Sequence, residues 1–278
     1  MRFTKMQGAG NDFIIIDNMD RSLSEDTLTR MAARLCSRRL SIGADGLMAV
    51  EPPEGDGDYR MLFFNSDGSR GEMCGNGARC IARYGHDRGL AGDIQRIETD
   101  SGTVTGQRLS RRSYRVRLNS PTLMEPEHPL TIDGKAFDCA YAELGNPGLP
   151  HCVVMLEEFP NMPLDELREL GRKIRSHTDF PKGANVTFCS PDGDRWRAVT
   201  FERGVEDFTL ACGTGAGSTA AALTLRGLAG GAGVALDFPG GELTVDVKVE
   251  AGEVTDIYLT GPTNLVAEGT VEDEELEI

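Results

Sequence analysis

One short pattern occurs twice, and it constrains the fold more than anything else in the chain. Cys74-Gly75-Asn76-Gly77-Ala78 follows an extended run, Arg60 to Asn65, and a Gly-containing turn. Cys212-Gly213-Thr214-Gly215-Ala216 follows Arg197 to Glu202 and a second such turn. An Ala-rich segment of helical character lies behind each, so each cysteine is expected at a helix N-terminus. There the unpaired N–H groups and the helix dipole favour negative charge. That lowers a thiol pKa and yields the thiolate, the reactive form. Flanking glycines let backbone N–H groups approach a bound anion closely. Two thiols built alike point to two thiols facing one substrate.

The repetition extends beyond the cysteines. Gly43-Ala44-Asp45 is echoed by Gly183-Ala184-Asn185 at nearly the same spacing. Gly10-Asn11-Asp12-Phe13 before Ile14-Ile15-Ile16 is loosely echoed by Gly145-Asn146 and then His151 before Val153-Val154. A repeat this long is a duplicated domain rather than a solenoid unit. Element by element, strands are expected at 2–7, 12–17, 48–51, 59–65, 97–99, 102–109 and 114–118. Ser24 is expected to cap a helix reaching Arg38, with Leu28, Met31, Ala32 and Leu35 on one face. The first cysteine helix spans 76–88. The stretch from Ser120 to Pro129 reads as the crossing into the second half. Strands then follow near 136–144 and 151–157, a helix near 163–176, strands at 185–190 and 196–202, and the second cysteine helix at 214–227. Four closing strands run from Val234 to Val271, the last returning to the first half. The acidic tail, 272–278, is expected to fray. The fold class is therefore α+β: two pseudo-symmetric domains from an internal duplication, each a curved, mostly antiparallel sheet around a central helix. The first half covers 1–119, joined by the C-terminal strand 264–278, and the second covers 120–263.

Composition serves mainly to exclude. A net charge of −15 argues against nucleic acid, whose phosphates need a basic face. It does not exclude small anions, which a few N–H groups and one Arg can hold. Seven cysteines without dense spacing suggest a reducing, cytoplasmic setting rather than a disulfide framework. Without a Cys-x-x-Cys pair, no zinc or other metal site is expected. The N-terminal residues lack an apolar signal region, and no run is long enough to span a membrane. Cys36, Cys80, Cys139, Cys152 and Cys189 read as small buried hydrophobes.

Taken together, these pieces resemble one family. Gly8-Ala9-Gly10-Asn11-Asp12-Phe13, Gly43-Ala44-Asp45-Gly46-Leu47 and Phe64-Asn65-Ser66-Asp67-Gly68-Ser69 stand in the family's order. So do Met73-Cys74-Gly75-Asn76-Gly77-Ala78-Arg79-Cys80, Gly183-Ala184-Asn185, Glu202-Arg203-Gly204-Val205, Ala211-Cys212-Gly213-Thr214-Gly215 and Pro239-Gly240-Gly241. The chain is similar to the diaminopimelate epimerases, and the resemblance runs through nearly all of it. It implies a cofactor-independent epimerase that interconverts LL- and meso-diaminopimelate, a small amino-acid substrate, in lysine and peptidoglycan precursor synthesis. A homodimer is also implied. The catalytic residues would be Cys74 and Cys212, one removing the α-proton and the other returning one on the opposite face. Asn11, Asn65, Gly75, Asn76, Asn146, Asn185, Glu202, Arg203, Gly213 and Thr214 would bind substrate, with the Arg203 fork suited to a distal carboxylate. His151 and Glu202 would help ionise the cysteines. A racemase of another amino acid, for example histidine, is the alternative on the same fold. The sequence departs from the family pattern twice. Asn146-Pro147-Gly148-Leu149-Pro150-His151 is three residues longer than the contiguous Asn-Pro-His of many members. Gly46 stands where some members carry Gln.

Overall fold

The computed structural model describes residues 1–71 and 73–276. The chain divides into two units, Met1–Val116 with Gly261–Ile278, and Arg117–Thr260. The first carries β1 (Arg2–Gly8), β2 (Asn11–Asp17), α1 (Glu25–Leu35), β3 (Gly46–Glu51), β4 (Tyr59–Asn65), β5 (Arg70–Gly71), α2 (Gly75–Asp87), β6 (Ile94–Thr99) and β7 (Gly102–Arg108). After β8 (Ser113–Leu118), the second carries β9 (Pro121–Glu125), β10 (Leu130–Ile132), β11 (Lys135–Leu144), β12 (Leu149–Met155), α3 (Leu164–Arg175) and β13 (Asn185–Asp192). It continues with β14 (Arg195–Glu202), β15 (Asp207–Thr209), α4 (Gly213–Leu225), β16 (Val234–Phe238), β17 (Gly241–Glu250) and β18 (Glu253–Pro262). The closing strand, β19 (Asn264–Thr270), pairs antiparallel with β1.

The pairing order is the same in both units, and it displays the duplication. In the first, β1–β2 is antiparallel, β2–β3 parallel, β3–β4 and β4–β5 antiparallel, β4–β6 parallel and β6–β7 antiparallel. In the second, β11–β12, β12–β13, β13–β14, β14–β15, β14–β16 and β16–β17 repeat that sequence of senses. Each parallel pair needs a crossover. Helices α1 and α3 make the first, α2 and α4 the second. The cysteine helices lie at the centre: α2 packs on β1, β2 and β7, and α4 on β11, β12, β13 and β17. Gly75–Gly85 of α2 is buried throughout, and so is Ala220–Leu223 of α4 with nearly all of its first two turns.

Local chemistry accounts for the other helix boundaries. Ser24 Oγ accepts from Thr27 N at 3.2 Å, a cap worth about 1 kcal/mol. Leu28, Met31, Ala32 and Leu35 form the buried face of α1. Helix α1 ends at Leu35, earlier than expected, because the following loop takes its last carbonyls: Gly43 N donates to Leu35 O and Ala44 N to Cys36 O. Gly43 (φ +76°) and Gly183 (φ +67°) occupy the same left-handed position after α1 and α3. A Cβ at Gly43 would stand 2.7 Å from Arg38 Cα, so this turn requires glycine.

Two expectations change. Residues 121–125 form strand β9, which pairs with β11, instead of a loose crossing. The acidic tail is tied down as far as it is described. Asp273 bridges Arg34 at 2.9 Å and accepts from Ser41 Oγ at 2.7 Å, and Glu275 bridges Arg34 at 2.7 Å. Residues 277 and 278 of that tail lie outside the described residues. Strands β5, β10 and β15, of two or three residues each, were too short for periodicity to signal.

Candidate active site

Each unit presents one thiol in the same setting. Cys74 caps α2 with extended backbone (φ −123°, ψ 118°), and Cys212 caps α4 with nearly the same angles (φ −111°, ψ 114°). Ala78 N donates to Cys74 O at 2.7 Å and Ala216 N to Cys212 O at 2.9 Å, which starts each helix. The earlier N–H groups of each first turn have no acceptor within the helix. In the second unit one of them reaches the sulfur: Gly215 N donates to Cys212 Sγ at 3.4 Å, and Thr214 Oγ1 lies 3.5 Å from the same sulfur. A contact of that kind favours the thiolate over the thiol.

Glycines permit this geometry. A Cβ at Gly77 would meet Met48 Cε at 2.0 Å. One at Gly215 would meet Thr187 Oγ1 at 2.8 Å, Thr200 Oγ1 at 2.9 Å and Cys212 Cβ at 3.2 Å. The two threonine hydroxyls are themselves hydrogen bonded at 2.9 Å beneath the helix start. Gly240 N, from the Pro239-Gly240-Gly241 turn, donates to Leu210 O at 2.7 Å and holds the segment entering Cys212.

Around α2 the side chains form one chain of hydrogen bonds. Asn76 Nδ2 donates to Asn11 Oδ1 at 2.5 Å, and Asn11 Nδ2 donates to Asp45 Oδ2 at 3.1 Å. Arg38 donates to both Asp12 and Asp45, and Lys5 bridges Asp12 at 2.8 Å. Burial alone would raise the Asp12 carboxyl, but Arg38 and Lys5 together hold it below the usual carboxylate range. Both asparagines are thereby oriented. Asn65 stands apart in this network: its Nδ2 donates to Ser69 Oγ at 3.0 Å across the turn that leads to Cys74. Gly46 lies opposite Asn65, and a Cβ there would meet Phe63 Cε2 and Phe64 O at 2.6 Å. A side chain at that position would require the Phe63 ring and the β4 backbone to shift.

The second unit gathers its residues around Asn185. Asn185 Oδ1 accepts from Arg203 N at 2.8 Å, and Arg203 Nη1 donates to Lys182 O at 2.8 Å. Glu202 Oε1 accepts from Thr209 Oγ1 at 2.5 Å. His151 is paired in register with Asn185 across β12 and β13, fully buried, with neither ring nitrogen hydrogen bonded. Burial, helped by the Arg203 charge, lowers its pKa to about 3, so the imidazole is neutral near pH 7. Asn146 is exposed in the turn between β11 and β12, and none of its side-chain atoms joins this network.

The other cysteines differ in kind. Burial pushes Cys36, Cys80 and Cys189 up to about 12 and raises Cys152 as well. Asp45, Arg38, Lys5, Thr187 and Thr200 escaped the sequence reading as site residues. Asp45 was within reach, since it closes the Gly43-Ala44-Asp45 repeat opposite Asn185. The threonines gave no signal, because their pairing is across strands. Among the described residues, no cluster of His, Cys, Asp or Glu is arranged to hold a metal ion. Among the described residues, no helix is long and apolar enough to cross a membrane.

Comparison with known proteins bears on this arrangement. The family profile of diaminopimelate epimerase matches residues 3–120 and 144–266. The diaminopimelate epimerase of Aquifex aeolicus is 39% identical, with 100% of both chains covered. That of Archaeoglobus fulgidus is 36% identical over 99% of this chain and 97% of its own. Among solved structures, a phenazine biosynthesis protein of Enterococcus faecalis superposes with a TM-score of 0.71 at 13% identity, covering 96% of this chain and 97% of that one. A hydroxyproline epimerase of Agrobacterium vitis gives a TM-score of 0.68 at 17% identity, covering 98% and 90%. At those identities the two structures speak for the fold alone.

Proposed function

The chain belongs to the diaminopimelate epimerase family, and on that premise we propose that it inverts one α-carbon of diaminopimelate, between the LL and meso forms, using Cys74 and Cys212 and no cofactor. The observation that carries the reading is the duplicated N-cap: one cysteine opens each central helix in the same backbone conformation.

The chemistry requires such a pair. An α-proton is weakly acidic, and inversion must remove it from one face and return a proton to the other. One sulfur, as thiolate, takes the α-proton and becomes a thiol. The electron pair left on carbon delocalises onto the α-carboxylate. The other sulfur, as thiol, gives its proton to the opposite face and becomes a thiolate. Protons balance, and the two sulfurs have exchanged protonation states. Charge gathering on the carboxylate calls for fixed donors. The first-turn N–H groups of Gly75, Asn76, Gly213 and Thr214 supply them, as helix N-termini do for anions. The oriented amides of Asn11, Asn76 and Asn185 add side-chain donors or acceptors. Arg203 takes the distal carboxylate, Glu202 a substrate ammonium. His151, neutral, acts on the site as a dipole rather than as a charge.

The test uses LL-diaminopimelate in D₂O. The expected product is the meso form with one deuterium at the inverted α-carbon. Turnover of histidine or another amino acid with none of diaminopimelate would move the assignment to the alternative racemase.

A further inference from the structure

Arg79 lies in the second turn of α2, one turn behind Cys74, and is 0% exposed. A guanidinium withdrawn from water is normally paired with a carboxylate. Here Nη2 donates to Asn76 Oδ1 at 2.9 Å, Nη1 reaches Gly75 O at 3.4 Å, and Nε has no partner. No carboxylate among the described residues bridges it. Burial lowers it to about 10, so it remains a cation at neutral pH, and the sulfurs of Cys80 and Cys74 act on it in the opposite direction. Its side chain runs back toward the helix N-terminus, the direction helical side chains favour, and both of its hydrogen bonds end on first-turn residues.

The duplicated half shows what is special about this charge. In the shared pattern Cys74 corresponds to Cys212 and Asn76 to Thr214, so Arg79 corresponds to Gly217. A Cβ at Gly217 would meet Leu118 Cδ1 at 2.8 Å, so that space is filled by an apolar contact. At the Cys212 cap the help to a thiolate comes from neutral groups, the Gly215 N–H at 3.4 Å and the Thr214 hydroxyl at 3.5 Å, so at the position of Arg79 the two halves share a backbone but not a charge.

We propose that Arg79 is a positioning residue that makes the half-sites unequal: its unbalanced charge holds Cys74 as the resting thiolate while Cys212 rests as the thiol, and its fork fixes the Asn76 amide. This rests on the proposed two-thiol reaction, but its test does not depend on turnover. The full chain is alkylated with iodoacetamide across a pH series, and modification of each cysteine is read by peptide mass mapping. Wild type should show a lower midpoint for Cys74 than for Cys212. Arg79→Gln, which keeps an amide near Asn76 and removes the charge, should raise the Cys74 midpoint by about one unit and leave Cys212 where it was. Arg79→Lys keeps the charge and loses the fork; its Cys74 midpoint should stay near wild type while KM for diaminopimelate rises several-fold. Cys80, buried in the same helix, is the internal control for folding, since a loosened helix exposes it to reagent. Equal midpoints in wild type, or an unchanged Cys74 midpoint in Arg79→Gln with Cys80 protected, overturns the proposal. If Arg79→Gln does not fold, the wild-type comparison of midpoints decides the charge and the KM of Arg79→Lys decides the fork. Loss of all turnover on diaminopimelate with the midpoints as expected would overturn the function and leave the charge asymmetry standing.

Discussion

Removing the buried imidazole should make the protein more acid-resistant. His151 is neutral in the folded state, with a pKa near 3, and returns to about 6.5 when unfolded. As pH falls below 6.5 the unfolded chain gains a proton at this position that the folded chain cannot accept, so stability falls. It stops falling only near the folded value. At about pH 5 the loss is set by the unfolded value, some 1.5 units above, and amounts to about 2 kcal/mol at 1.36 kcal/mol per unit. His151→Leu deletes this term. Neither ring nitrogen has a hydrogen-bond partner to strand, so the substitution should change stability by no more than about 1 kcal/mol near pH 7.5. Urea unfolding of both proteins at about pH 7.5 and pH 5 measures the difference. The variant should lose about 2 kcal/mol less than wild type between those conditions, with the other titrating groups cancelling. Equal pH dependence would show that His151 is protonated or solvated in the native state. Its place beside Asn185 and Arg203 would then need a different account.

Cys74→Ala and Cys212→Ala should each abolish epimerisation, while Cys36→Ala and Cys189→Ala leave it near wild type; a fast variant at either capping cysteine refutes a two-thiol reaction. A colourless, chelator-treated preparation should keep its full rate, and a rate restored only by a metal ion or pyridoxal phosphate would refute the mechanism. Gly215→Ala should destabilise the chain by about 1–3 kcal/mol by overpacking against Thr187 and Thr200, beyond the gain in helix propensity. It should also slow turnover by shifting Gly215 N from Cys212 Sγ; thermal unfolding at wild-type temperature with wild-type rate would contradict the contacts at that glycine.

What could be read from the sequence was what local chemistry determines. A cysteine followed by Gly-x-Gly-Ala reads as a helix start, and Ser24 announced α1 through its cap. The duplication was legible because it repeats unusual residues, and the pairing order of the strands now displays it. What stayed hidden depends on residues far apart in sequence. The Asn11–Asp45 bond spans 34 positions, and Asp273 finds Arg34 across 239. The neutrality of His151 comes from burial, which no neighbouring residue states. Arg79 stood in the motif from the beginning, but that no carboxylate among the described residues bridges it is a property of the packed interior alone.

Duplication by itself would give an inefficient two-base site. The reaction needs one sulfur with a proton and one without, at the same moment. Two sulfurs of equal acidity that did not influence each other would reach that mixed state in at most about half of the molecules, and only when pH equals their shared pKa. Half of those would carry the proton on the wrong side for a given stereoisomer. Separating the two acidities removes both losses for the stereoisomer whose α-proton faces the resting thiolate, so that at neutral pH most molecules hold one defined thiolate and one defined thiol. The fold arrives at two equivalent cysteine caps by repeating one topology, and it can separate them only through side chains that differ between the repeats. At the Cys212 cap the help is an N–H and a hydroxyl, from Gly215 and Thr214. At the Cys74 cap it is a buried guanidinium one turn away, at a position where the other repeat carries a glycine against Leu118. A buried charge that only one repeat carries at this position therefore sits one turn behind Cys74, the sulfur that the proposal makes the resting thiolate.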